Sequence, residues 1–315
     1  MKKLITLIFF LFASIANAQW TFDISIGQEY NDNPFRSPIP ESNIISDYGF
    51  SFENYNEIIQ LGYSGSYFAL DKNPERNFFW HQLGLWHNNE LNNFGVYLEQ
   101  RYAKSDFQFL DYSELGGYFN QRFELANIFS SVHSAITYTN FPLISSLNNW
   151  TFTLGYEGNR GFEATGTSLI LGAKYNYKFY TYETYGIAVP TASDGEIYLI
   201  GNKEATPINH ITSYFRIAQS ILSKTGAAFQ FTNRSILGDI NSVFLSGDFA
   251  LWEESEIFDD PIKTEGNSFA FEITQLIDDF SLKGGYYINY RNFPSQGIYS
   301  DLENFDFNQM KSDKQ

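Results

Sequence analysis

Few side chains in this chain have the types and spacing that proton transfer, nucleophilic attack or metal binding require. There are four histidines, His81, His87, His133 and His210. His81 and His87 are six residues apart. On a strand they would share a face about 20 Å apart, too far to hold one ion, and they read as interfacial or lumenal polar residues. His133 precedes Ser134, a base beside a hydroxyl nucleophile. Adjacent strand residues point to opposite faces, so these two cannot pair directly. Asp259-Asp260 and Asp278-Asp279 are adjacent carboxylates set among turn formers, without the positioned partner that hydrolysis needs. Glu253, Glu254, Glu256, Asp259 and Asp260 form an acidic stretch whose oxygens suit a hard cation, but the spacing matches no calcium loop. It reads as a solvated external loop. No phosphate-cradling, dinucleotide or zinc motif is present. The absence of Cys excludes disulfides, thiolate metal sites and Cys nucleophiles. The residues therefore describe a non-enzymatic protein with no cofactor and no metal site.

The elements carrying these residues begin with an export signal. Lys2 and Lys3 precede the apolar run Leu4–Ile15, and Ala16-Asn17-Ala18 is a small-x-small cleavage site. The spacing predicts cleavage after Ala18, so that 1–18 is a signal peptide and 19–315 a single domain. The apolar run falls short of the roughly 20 residues that a spanning helix needs. No later run approaches that length, so any further entry into a membrane must be as a closed barrel.

Alternation of period two is the dominant pattern. Trp20, Phe22, Ile24 and Ile26 fall on one face of a strand, and Thr21, Asp23, Ser25 and Gly27 on the other. In 167–179, Leu169, Leu171, Ala173, Tyr175, Tyr177 and Phe179 oppose Lys174, Asn176 and Lys178. Further strands are predicted near 47–55, 58–69, 77–87, 93–103, 111–123, 128–139, 149–157, 225–233, 242–252, 267–276 and 280–291. The stretch 181–222 holds two or three more, interrupted by Pro190 and Pro207. Three prolines exclude a strand from the loop after residue 31.

Aromatic residues make up 19% of the chain, with 32 Phe, 22 Tyr and 5 Trp, enough for a lipid-facing band with interfacial girdles. The net charge is −16, and loss of Lys2 and Lys3 deepens it. Such a chain lacks the clustered cations that phosphate backbones require, which argues against nucleic acid as a partner.

In alternation and aromatic usage the mature chain resembles bacterial outer-membrane β-barrel proteins as a general class. The resemblance implies an all-β, antiparallel, transmembrane up-and-down β-barrel of about 14–16 strands in outer-membrane lipid. With short turns periplasmic and long loops external, strand one runs outward, the loop 31–46 is external and the Asp278-Asp279 turn periplasmic. Strand 280–291 then takes an odd index and needs one more inward strand. Residues 299–307 supply it poorly, with Tyr299, Phe305 and Phe307 in phase ahead of a charged tail. That weakness leaves two expectations, a frayed closing strand or a barrel short of its C-terminal strands.

Alternation assigns Asp23, Tyr97, Glu99, Arg101, Lys174, Asn176, Lys178, Glu272, Lys283, Tyr287, Asn289 and Arg291 to the lumen. Converging there, they would set charge selectivity in a passive pore for small polar solutes. Two other readings stand beside the pore. One is a structural or surface-interaction barrel whose external loops bind a partner or polysaccharide. The other is a secreted soluble β-protein that binds glycans through its aromatics.

Overall fold

The computed structural model describes residues 19–31, 42–55, 59–104, 107–108, 111–143, 145, 148–181, 184–190, 197–204, 207–238, 265–278, 280–299 and 305–314. The export signal, nearly all of the proline-rich loop, the candidate strand 242–252 and the acidic stretch 253–260 lie outside the described residues. Nine strands follow one another as hairpins: β1 (Gln19–Asn31), β2 (Asn43–Tyr55), β3 (Gln60–Leu70), β4 (Phe78–Asn88), β5 (Asn92–Ala103), β6 (Tyr112–Leu125), β7 (Ile128–Asn140), β8 (Asn149–Phe162) and β9 (Thr167–Tyr180). Next come β10 (Thr184–Pro190) and β11 (Ile197–Glu204), which pair with each other. The succession then resumes with β12 (Ile208–Leu222), β13 (Thr225–Leu237), β14 (Glu265–Ile277), β15 (Phe280–Tyr299) and β16 (Phe305–Lys314). Fourteen of them build one sheet in the order β1 to β9, then β12 to β16, every neighbour antiparallel. This is the up-and-down meander of the outer-membrane barrel class. β1 and β16 stand at the two ends of that order and are not paired with each other.

The connections sort by length onto two ends of the sheet. β6 and β7 join through Ala126-Asn127, with φ of 52° and 63°, the left-handed pair of a tight hairpin turn. β8 and β9 join through residues 163–166, ending on Gly166 at φ 61°, and β12 and β13 through Ser223-Lys224. β14 and β15 join at Asp278, with φ 51°. The long connections, after β1, β3, β5, β7, β9 and β13, all fall at the other end. Asparagines brace that end. Asn43, almost wholly buried, donates from Nδ2 to Asn73 Oδ1 at 2.7 Å, and Phe141 N donates to Asn148 Oδ1 at 2.6 Å.

Two places differ from expectation. The stretch 181–222 contains three strands, but only β12 joins the main sheet. Its pairing with β9 makes β10–β11 an excursion from the long end. The strand after 291 is not at 299–307. β15 continues to Tyr299, and β16 occupies 305–314, including the charged tail that lacks clear alternation. The irregular register between Phe293 and Gly297 explains why no single phase could be read there.

Register separates two surfaces. Phe22, Phe52, Tyr63, Leu83, Leu98, Leu115, Tyr138, Trp150 and Phe179 are successive cross-strand partners from β1 to β9. One residue along, the row reads Asp23, Ser51, Ser64, Gln82, Glu99, Glu114, Thr139, Asn149 and Tyr180. The second half repeats the contrast: Leu171, Phe215, Phe231, Phe269 and Ile288 against Gly172, Tyr214, Thr232, Ser268 and Asn289.

Among the described residues the buried apolar side chains are Leu70, Tyr112, Phe141 and Ile208, all at the long-connection end. The apolar face itself is bare, with Phe22 77% and Ile24 82% exposed. Soluble proteins rarely expose contiguous apolar patches above a few hundred Å². A face of this extent needs an apolar medium, which argues against the secreted soluble reading.

Leu98 lies mid-strand on the apolar face, and Ser64 mid-strand on the polar one. Leu98→Arg will cost about 2–4 kcal/mol of folding free energy in bilayers, whereas Ser64→Arg will cost less than about 1 kcal/mol. Urea titration of each variant in phospholipid vesicles reads the difference, and equal costs would reverse the assignment of the faces.

Candidate functional site: the polar face

Cross-strand partners share a face, so register decides where each candidate side chain lies. Asp23, Glu99, Tyr97 and Arg101 share the polar face of β1 and β5 with Lys174, Asn176 and Lys178 of β9. Glu272 of β14 and Lys283, Tyr287, Asn289 and Arg291 of β15 continue it. His133 and His210 lie on this face too, paired with Asn120 and Asn176. Ser134, opposite Phe119, lies on the other. His81 and His87 correct the lumenal alternative for those residues. Both lie on the apolar side, alternating with Gln82 and Trp86 of the polar side, and the His81 ring stacks on Phe79 (5.3 Å) and Tyr102 (5.8 Å).

The densest part of the polar face surrounds Glu99 and Glu114, two carboxylates directly opposite each other on β5 and β6. Like charges in that position repel, and four donors from neighbouring positions offset it. Gln82 Nε2 and Tyr112 Oη donate to Glu99 at 3.0 and 2.6 Å. Tyr97 Oη and Thr139 Oγ1 donate to Glu114 at 2.7 and 2.8 Å. Arg101 stacks its guanidinium 4.1 Å from the Phe78 ring centroid, leaving Nε without a hydrogen-bond partner. In the loop before β6, Ala103 N donates to Asp111 Oδ1 at 2.5 Å. Burial pushes the Asp111 carboxyl up, opposed by that hydrogen bond and by the Arg101 charge.

Three large aromatic side chains lie flat against the wall because glycines make room for them. A Cβ on Gly62 would sit 2.2 Å from the Trp86 ring, on Gly116 2.3 Å from Tyr97, and on Gly172 2.4 Å from Tyr214. Each ring's polar tip reaches an acceptor. Trp86 Nε1 donates to Gln60, Tyr97 to Glu114, and Tyr214 to Glu157 beyond Gly172. The apolar ring is thus packed while its polar tip is satisfied.

The second half of the face is differently charged. Asn176 accepts from Thr153 Oγ1 at 2.7 Å and donates to His210 Nε2 at 2.9 Å. Arg216 pairs with Glu272 at 3.7 Å. That pair borders a cavity of about 550 Å³ near the short-turn end, floored by the small residues Gly161, Ser168, Ala218, Ser220 and Gly226. Among the described residues no cluster of three or more His, Asp or Glu is arranged to hold a metal ion.

Alternation could have added Glu114, Arg216 and Arg234 to the sequence-predicted set. Pairing of Glu99 with Glu114, or of Tyr214 with a glutamate two strands away, could not be read locally. It depends on register across 15 and 57 residues of sequence.

No family profile and no curated protein matches this chain. Among solved structures it is similar to a bacterial polysaccharide outer membrane secretin. The identity is 10% and the TM-score 0.49, over 94% of this chain and 82% of that one. It is also similar to the NanC porin, at 13% identity and a TM-score of 0.30, over 75% of this chain and 90% of that one.

Gly116→Ala will drive the Tyr97 ring off the wall and break its bond to Glu114. Gly116→Ala and Tyr97→Phe will each lower stability by about 1–3 kcal/mol. The double variant will lose less than the sum, because both changes remove the same bond. Urea titration of the four proteins in vesicles tests the cycle, and strict additivity would disconnect the notch from the hydrogen bond.

Proposed function

We propose that the sheet closes into a barrel in the bacterial outer membrane, apolar face to lipid and polar face inward, forming a passive, water-filled passage for small polar solutes. One observation carries the reading. Across the long sheet, a row of uniformly apolar partners and a row of polar ones lie a single residue apart. Fourteen strands stand between the eight that side chains fill and the 16–18 that leave an aqueous channel. The glycine notches favour the open case. Trp86, Tyr97 and Tyr214, which would otherwise project into the lumen, are laid along its wall.

A second reading draws on the β10–β11 hairpin, an extra two-stranded unit at the end that holds the long connections. A surface-interaction role, with polysaccharide or a protein as partner, would place recognition there. In either reading the chain does no covalent chemistry. His133 and Ser134 lie on opposite faces, and the paired Glu99 and Glu114 are held by four neutral donors rather than poised beside a nucleophile.

Planar-bilayer recording separates the two. After folding is verified by heat-modifiable gel mobility, the pore reading expects stable conductance steps from the refolded protein. Folded protein that never conducts would sink it and leave the surface-interaction reading.

A further inference from the structure

The charges of the polar face are sorted by strand. β1 and β2 place Asp23, Glu29, Asp47 and Glu53 there, and β5 and β6 add Glu99 and Glu114. Glu124 and Glu157 extend the acidic set on β6 and β8, against the cations Arg101 and Arg122. From β9 onward the sign reverses. The polar positions of β9 and β12 to β15 hold Lys174, Lys178, Arg216, Arg234, Lys283 and Arg291; the carboxylate Glu272 is paired with Arg216, and Asp313 of β16 lies opposite Arg291 in the register.

We propose that this division sets an electric field across the lumen and that the passage favours solutes carrying both signs of charge over neutral solutes of the same size. The proposal rests on the pore reading above. In a closed ring of fourteen strands, strands seven places apart in the sheet order face each other. That order sets β2 opposite β9, hence Asp47 and Glu53 against Lys174 and Lys178. It likewise sets β6 opposite β15, hence Glu114 against Lys283 and Arg291. Between these strands the two signs are held apart by the width of the lumen, whereas the facing pair β1 and β8 carries acidic side chains on both members. Low-dielectric walls focus the field of such fixed charges into the water between them. One carboxylate oxygen of Asp47 is buried with no hydrogen-bond partner. A zwitterion aligned across the lumen meets its complement on both walls. A neutral solute gains nothing, and a singly charged one is attracted to one wall and repelled by the other.

The test uses the refolded protein in phospholipid vesicles. 4-Aminobutyrate is the zwitterionic probe and butyramide the neutral probe of similar size. At about 10 mM salt the zwitterion should enter about tenfold faster, and the advantage should collapse at about 1 M salt, where the screening length falls to about 3 Å. Asp47→Asn with Glu53→Gln should erase most of the advantage and shift the reversal potential in a KCl gradient toward anions. Lys174→Gln with Lys283→Gln should erase it equally and shift the potential toward cations. Lys283→Gln alone should give the same shift in smaller measure, which guards against a double variant that fails to fold. Equal entry of both probes, or an advantage that only one sign of substitution removes, would overturn the transverse field while leaving the pore intact. Entry of neither probe would overturn the pore and the field together.

Discussion

The pleat of a strand is the constraint on which everything else depends. It gives each residue one of two faces, and in lipid it does so without freedom to err, because a backbone group left unpaired in hydrocarbon costs several kcal/mol. Every strand of the sheet between β1 and β16 is paired on both sides, and once paired its faces are fixed for all neighbours at once. A one-residue slip of β5 would carry Glu99 to the apolar face and Leu98 to the polar one. The burial of an ordinary core is nearly absent: four apolar side chains are buried among the described residues, and large apolar side chains along the strands are exposed. Stability in water is replaced by stability in a medium, and register is what matches the chain to it.

Register also explains what was legible in the sequence. Strands with clean alternation, such as Gln19–Asn31 and Thr167–Tyr180, could be placed within two residues, because period two is a local property. The Asp278 turn was visible for the same reason: a polar pair between two alternating runs has one cheap solution, and Asp278 takes it at positive φ. The stretch after Tyr180 was ambiguous because alternation says that a strand exists and not which sheet it joins. β10 and β11 satisfy each other, and only the pairing of Ile208–Gln219 with β9 decides where the meander resumes. The C-terminal strand was obscured by the shifts between Phe293 and Gly297, which break the phase needed to recognise it. The face of His81 was hidden for a different reason. A polar residue on an apolar face violates the binary pattern, and only the flanking rings of Phe79 and Tyr102 make it tolerable.

The polar face solves a second problem with the same geometry. Large inward side chains would occlude a passage, and buried carboxylates would repel one another. Glycine notches answer both. At Gly116 and Gly172 the absence of a Cβ lets a tyrosine lie down, and lying down brings its hydroxyl to Glu114 or Glu157. The ring laid along the sheet and the satisfied carboxylate are therefore one feature. This is why the glycines sit on the polar face opposite long side chains, where a sheet would normally lose stability by having them.

Parity permits closure. A sheet of fourteen up-and-down strands has its first and last members running in opposite directions, so the two free edges can meet as another antiparallel pair. An odd count would bring together parallel edges joined by no hairpin. The excursion of β10 and β11 preserves this parity, since it adds two strands to the chain and none to the sheet. Had only one of them entered, β15 would reverse its direction, and the tight Asp278 turn would move to the end that holds the long connections. The short-turn and long-loop ends, the alternation of faces and the even count are thus one constraint seen from three directions. In a closed ring the same constraint would set which charged strands face each other.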